Sequence, residues 1–296
     1  MSLLPGRARS FIRGKMQESP LFRGWLLNRQ FRVERALLKG RSVATSSNPS
    51  VLHFSVNKAA TQYTKRIMIR CGEENGLVTV RMSDYAWEKN LPYLFTLSPE
   101  EVKPYLHVFR PRGYLYTVFG GLVEGIPDIQ QYRTVIMVRD PRDVLVSGYY
   151  SYSKSHAVPK SEEKAQEFLA LRERLNKMTV DEYVVEMTEN ARWRMEQYLD
   201  ISRTGPAVCI LKYEDMLADF PAWLDRLIAH CQWRISPALK DRLLSEADQG
   251  KRVKQEDTGK HRRQVTPGDH RRKLKDETVE YLNSHLSGIL TAFGYR

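Results

Sequence analysis

Apolar positions along the chain fall into two rhythms. Five short runs are rich in β-forming residues: Val51–Val56, Leu77–Arg81, Tyr105–Arg110, Thr134–Val138 and Ala207–Leu211. Three of them, VLHFSV, TVIMV and AVCIL, are nearly continuous apolar runs, the pattern of strands buried on both faces. Between the runs lie stretches of helical period: Thr61–Cys71, Pro141–Lys154, Met178–Ile201, Pro221–Cys231, Pro237–Ala247 and Lys275–Phe293. Asp140 is placed to cap one of these, with Pro141 at the first helical position. Thr179 and Glu182 have the spacing of a capping box. Strands alternating with helices predict a single α/β domain with a central parallel sheet flanked by helices and joined by right-handed crossovers. Ligands of such sheets sit beyond the carboxyl ends of the strands.

Two strand–turn–helix units put chemistry at that edge. In VLHFSVNKAATQYTKRIM, the turn offers Asn57, Lys58 and Thr61. In RTVIMVRDPRDVLVSGYYSY, the turn and helix offer Arg139, Arg142 and Ser147. A helix start beside Lys58 can bind an anion through backbone N–H groups, the helix dipole and the ammonium. The competing reading is an ordinary turn with a solvated lysine, because the turn has no glycine and no GxxxxGK[ST] pattern. Arg139 ends a buried strand, where a charge is costly unless paired. It either meets an anion shared with Ser147 or forms an ion pair with Asp140 or Asp143. Side by side, the two turns would hold a ligand with anionic groups at both ends.

Charge sharpens this picture. The 296-residue chain carries a net charge of +12, concentrated in two windows. Residues 1–45 hold ten Lys/Arg against two acids, and residues 250–275 hold ten against three, which leaves the rest slightly acidic. The first window reads as a basic N-terminal helical extension ahead of a domain spanning 46–296. Its Phe11, Leu21, Phe22, Trp25 and Leu26 suit either docking on a membrane surface or packing on the domain. The segment Gly250–Lys273 lacks apolar periodicity and reads as a loop that orders on binding. Three cysteines, Cys71, Cys209 and Cys231, form no CxxC and no metal-ligand spacing, which fits a reducing compartment. No apolar run approaches the roughly 18 residues of a membrane span. The N-terminus lacks the apolar region of a signal peptide. The expectation is a cytoplasmic protein, in peripheral contact with a membrane if the extension docks.

The two units resemble the signature elements of the sulfotransferases that use 3′-phosphoadenosine 5′-phosphosulfate (PAPS). NKAATQY stands where that family has PKSGTTW, and RDPRDVLVSGYY matches its RDPRDVxVSxYY nearly letter for letter. LKYEDM (Leu211–Met216) is similar to its strand ending in YED, and RQVTPGD (Arg263–Asp269) to its RKGxxGDW. An FxxE-like helix start at Leu274–Glu277 and a terminal Gly294–Tyr295 follow in order. The resemblance implies a P-loop NTPase-like fold with PAPS as sulfuryl donor and no metal. It implies that Lys58, Ala59, Ala60, Thr61 and Gln62 hold the 5′-phosphosulfate, with Lys58 catalytic. Arg139 and Ser147 would bind the 3′-phosphate, Tyr213 would lie against the adenine, and Arg263, helped by Arg262, would close over the 3′-phosphate. Departures are Ala59 and Ala60 for the Ser/Gly pair, Gln62 for a second Thr, Gln264 and Val265 for Lys-Gly, and His270 for Trp.

The catalytic base is the largest departure. Many members carry a KTHLP-like segment, whereas the counterpart here, VFRPRGYLY (Val108–Tyr116), has no histidine. Other branches use a carboxylate just after the second strand, a place taken here by Asp84, with Glu88 in reserve; His107 is a third candidate. The expected partner is an acceptor hydroxyl or amine on a carbohydrate, lipid-linked or small molecule, and no nucleic acid is expected. Residues 84–125 and the 154–178 insert would form its pocket, with Tyr85, Trp87, Tyr93, Phe95, Tyr114, Tyr116 and Phe119 as aromatic walls. Arg110 and Arg112 point either to an anionic acceptor or to surface ion pairs. Two readings compete with sulfuryl transfer: a P-loop kinase using ATP and magnesium, and a non-enzymatic binder of anionic surfaces.

Overall fold

The structure is a computed structural model that describes residues 20–159, 161–203, 207–251 and 266–295. Arg262 and Arg263 lie outside the described residues, as do residues 1–19. Five parallel strands form one sheet: β1 (Val51–Ser55), β2 (Val78–Val80), β3 (Tyr114–Phe119), β4 (Arg133–Val138) and β5 (Val208–Lys212), in the order β2-β3-β1-β4-β5. β1 and β3 are buried along their whole length, as the apolar run in β1 requires once helices cover both faces. β5 is an edge strand and alternates buried and half-buried positions.

β1 and β4 lie in register, with Ser55 opposite Met137, and the Val56 amide extends the ladder to the Met137 carbonyl. Their turns therefore leave the sheet together. The chain runs from β1 outward to β2 on one side and from β4 outward to β5 on the other, so the crevice between these turns is the topological switch point.

One strand falls elsewhere than the sequence pattern predicts. Tyr105–Arg110 is not a strand; Lys103–Val108 is a 3-10 helix continuing from the helix Pro99–Val102. Ser98 and Glu101 close a capping box ahead of it. Pro104 has no N–H to give a ladder and favours the first turn of a helix. The strand is instead Tyr114–Phe119, whose aromatic and β-branched residues suit a pleated surface. Tyr114, Tyr116 and Phe119 are consequently core residues, not walls of an acceptor pocket. The Tyr116 hydroxyl donates to the Val108 carbonyl and accepts from the Arg110 amide.

The flanking helices follow the predicted stretches closely. Asp140 caps Pro141–Tyr150 by accepting from the Arg142 amide, and Thr179 and Glu182 form the capping box of Val180–Ser202. The C-terminal stretch is two helices, Asp276–His285 and Ser287–Ala292. The helix Arg32–Leu38 belongs to the core, because Phe31 and Leu37 are fully buried and Glu34 accepts from the Arg81 amide at 2.7 Å. Among the described residues no helix is long and apolar enough to cross a membrane.

Candidate active site

The turn after β1 has an unusual backbone. Lys58 and Ala60 both sit in the left-handed region, at φ 69° and 55°, although neither is glycine. Each such residue costs on the order of 1 kcal/mol and persists where the surroundings impose it, commonly at ligand sites. Ala60 precedes the helix Thr61–Glu74, and no side chain caps that helix. The Tyr63 amide donates to the Ala60 carbonyl at 2.8 Å, which leaves the amides of Thr61 and Gln62 for an anion or water at the positive end of the helix dipole. Ala59 is fully buried, and its amide donates to the Val56 carbonyl at 3.4 Å. The Thr61 hydroxyl lies 2.9 Å from Ser55 Oγ and donates to the Val56 carbonyl at 3.2 Å, bracing the turn from within. Asn57 and Gln62 are exposed at its rim.

The turn after β4 is tied to the first. Arg139 is 5% exposed, and its Nη1 donates to the Lys58 carbonyl at 2.9 Å. Its Nη2 lies 3.6 Å from Asp143, and its guanidinium stacks on the Tyr213 ring at 4.6 Å. Arg139 Nε is buried with no hydrogen-bond partner among the described residues. Tyr213 opens the helix at the end of β5 and Ser147 lies on the inner face of Pro141–Tyr150, both buried. Arg142, by contrast, is a structural residue: it grips Asp140 through two bonds and reaches Asn283.

Asp143 is the buried counter-ion of this anchor. It accepts from the amides of Gly268 and His270 and from His270 Nδ1 at 2.7 Å. Burial opposes its ionisation, but the His270 hydrogen bonds and Arg139 outweigh that and hold it well below the usual carboxylate range. The segment Gly268–His270 is in this way fastened to the arginine anchor. The sequence named Asp143 only as an alternative ion-pair partner of Arg139, which it is, and did not mark His270 as part of the site. Only the resemblance, in which His270 replaces Trp, pointed at that position.

Asp84 lies in the first turn of the helix Met82–Glu88, at the carboxyl end of β2. Lys65 Nζ bonds to its Oδ2. Neighbouring Ser83 donates to the Val118 carbonyl in β3. Burial, and then the Asp84 charge, push up the Tyr93 hydroxyl. Tyr93 stacks on Phe95 at 5.1 Å, and a Cβ added to Gly120 would lie 3.2 Å from Phe95 and 3.6 Å from Asn57 Oδ1. Tyr93 and Phe95 thus lead to Gly120 and the Asn57 rim of the Lys58 turn. His107 turns both ring nitrogens to carbonyls, of Pro104 and Leu38, ahead of β3. Arg110 and Arg112 donate to the carbonyls of Gly40 and Ser47. Arg112 pairs with Pro49 before β1 and β3 begin, so it sits at the opposite edge of the sheet from the two turns. Among the described residues no group of three or more His, Cys, Asp or Glu is placed to hold a metal ion.

The same sheet occurs in solved structures. Mouse sulfotransferase SULT7A1, complexed with PAP, is 14% identical, covers 87% of this chain and 88% of its own, and has a TM-score of 0.53. Sulfotransferase STF9 from Mycobacterium avium is 12% identical, covers 100% of this chain and 88% of its own, and has a TM-score of 0.51. At such identities the likeness is one of fold. No curated protein sequence matches the chain significantly. Residues 129–293 match the sulfotransferase domain. That match spans more than half of the sequence and takes in both Arg139 and Tyr213, so the chain belongs to the sulfotransferase domain family.

Proposed function

We propose that this enzyme moves a sulfuryl group from PAPS to a hydroxyl or amine of an acceptor, and that the Lys58 and Arg139 turns divide the donor between them. The observation that carries this reading is the bond from Arg139 to the Lys58 carbonyl, which sets two cationic turns side by side at the switch point. The residues fit a doubly anionic nucleotide. The helix start behind Lys58 is uncapped, and Arg139 keeps a buried Nε without a partner among the described residues. PAPS supplies a sulfuryl group on an activated phosphate. Asn57 through Gln62 receive that end, with the Lys58 ammonium countering charge that builds on the departing phosphate oxygen. Arg139 and Ser147 take the 3′-phosphate and Tyr213 the adenine, with Arg262 and Arg263 added from the basic loop. Asp84 accepts the acceptor proton as the new O–S or N–S bond forms and the S–O bond to the phosphate breaks.

The acceptor face is the stacked pair Tyr93 and Phe95 beside Gly120, and a planar aromatic surface of this kind suits sugar or phenol rings. Trp25 and Leu26 are exposed beside Arg29, which supports peripheral contact with an anionic membrane surface. The test is transfer of labelled sulfate from PAPS into an extract of host glycans and lipids. Labelled product is expected from the native chain, and Lys58→Ala should fold but transfer nothing. Near-native transfer by Lys58→Ala, or none by the native chain, would overturn the assignment.

A further inference from the structure

We infer that Lys65 is a positioning residue that holds Asp84 by one carboxylate oxygen and leaves the other for the acceptor proton. The inference rests on Asp84 being the base. Lys65 lies on the helix Thr61–Glu74, about one turn beyond its first residue. At about 1.5 Å per residue it lies roughly 6 Å along the helix from Thr61, and its ammonium is committed to Asp84. Its side chain is 9% exposed, among Thr64, Ile67, Met68 and Cys71 on the buried face of the helix, while that of Asp84 is 35% exposed.

A buried ammonium carries a desolvation cost, and an apolar chain of similar length would fill this position without it. Stability alone therefore gives no reason for a lysine here. What the lysine does is reach Asp84 Oδ2 across the gap between the β1 and β2 units. Among the described residues no donor reaches Oδ1. The bond fixes the rotamer of the carboxylate, and general-base catalysis depends on such placement before it depends on basicity.

Other charges surround the pair. Asp84 meets Lys65 from the Thr61 helix, and its charge acts on Glu34 of the helix Arg32–Leu38, which Arg81 also meets, and on Tyr93. Glu34 is itself buried, with Oε2 unpartnered among the described residues, and its carboxyl is pushed up by burial and further by Asp84. Lys65 is faced by Asp84 and, from β1, by His53. Lys65 is thus the cation in direct contact with Asp84, opposing the like charge of Glu34.

The experiment compares native enzyme with Lys65→Met, Lys65→Arg and Asp84→Asn. It uses the rate of labelled-sulfate transfer from saturating PAPS into the glycan and lipid extract. Lys65→Met should slow turnover about ten- to a hundredfold, since the carboxylate loses the contact that fixes its rotamer. Its KM for PAPS and its affinity for adenosine 3′,5′-bisphosphate should be unchanged, which also shows that it folds. Lys65→Arg should recover most of the rate. Native turnover in Lys65→Met, with Asp84→Asn inactive, would overturn the role of Lys65 alone. Full turnover in Asp84→Asn would remove the base itself. A Lys65→Met loss shared equally by nucleotide binding and turnover would reduce the pair to a structural bridge.

Discussion

Arg139 meets the carbonyl of Lys58, the carboxylate of Asp143 and the ring of Tyr213, and each contact uses a different feature of the guanidinium. A lysine would keep the charge but lose the planar fork and the stacking. Arg139→Lys should weaken binding of adenosine 3′,5′-bisphosphate by about 2 kcal/mol, roughly thirtyfold, in a calorimetric titration. His53 offers a test unrelated to turnover. Burial first, and then Lys65, lower its pKa to about 3, so the folded chain keeps the ring neutral where the unfolded chain would protonate it. Its contribution to stability is complete above about pH 6.5 and is lost as pH falls from there toward 3. Between about pH 7 and pH 5 this single group should cost about 2 kcal/mol, a loss that His53→Gln should largely abolish in denaturant titrations. Lys58 and Arg139 were legible in sequence because each follows an apolar strand at a defined offset. Lys65 and His270 were not, because their roles are contacts between residues 19 and 127 positions apart; Asp143 was legible only as an ion-pair partner four residues from Arg139. The one local hint was a lysine interrupting the apolar face of the Thr61 helix.

At the scale of elements, the sequence rhythm located the strands leading to both turns, and it misplaced β3. Tyr114–Phe119 was taken for an aromatic pocket because bulky rings suit a binding surface as well as a buried strand. Pairing with β1 and β2 decides between these, and single-residue preference carries no information about pairing. Gly113, just before that strand, has φ +86°, and a Cβ there would fall 2.6 Å from Ala44 Cβ and 2.8 Å from the Ser46 carbonyl. Gly113→Ala should cost about 2–4 kcal/mol from strain and crowding together, lowering Tm by roughly 5–10 °C. The site is at the other end of β3, so the folded variant should bind nucleotide as the native chain does. Loss of binding in folded Gly113→Ala would show that the two edges of the sheet are coupled.

For the molecule as a whole, order β2-β3-β1-β4-β5 puts the crevice where chain direction reverses, and the two turns flank it. Alternating strands and helices made the parallel sheet legible, and the motif order made the family legible. The strand order, and with it the adjacency of the two turns, came only from the structure. The most direct test of the two-turn site is a magnesium-free calorimetric comparison of adenosine 3′,5′-bisphosphate with AMP, which lacks the 3′-phosphate, on the native chain and on Arg139→Ala. The bisphosphate should bind the native chain at least about tenfold more tightly than AMP, and Arg139→Ala should erase that preference while retaining AMP affinity. Equal affinity of the native chain for both nucleotides, or a preference unaffected by Arg139→Ala, would contradict it.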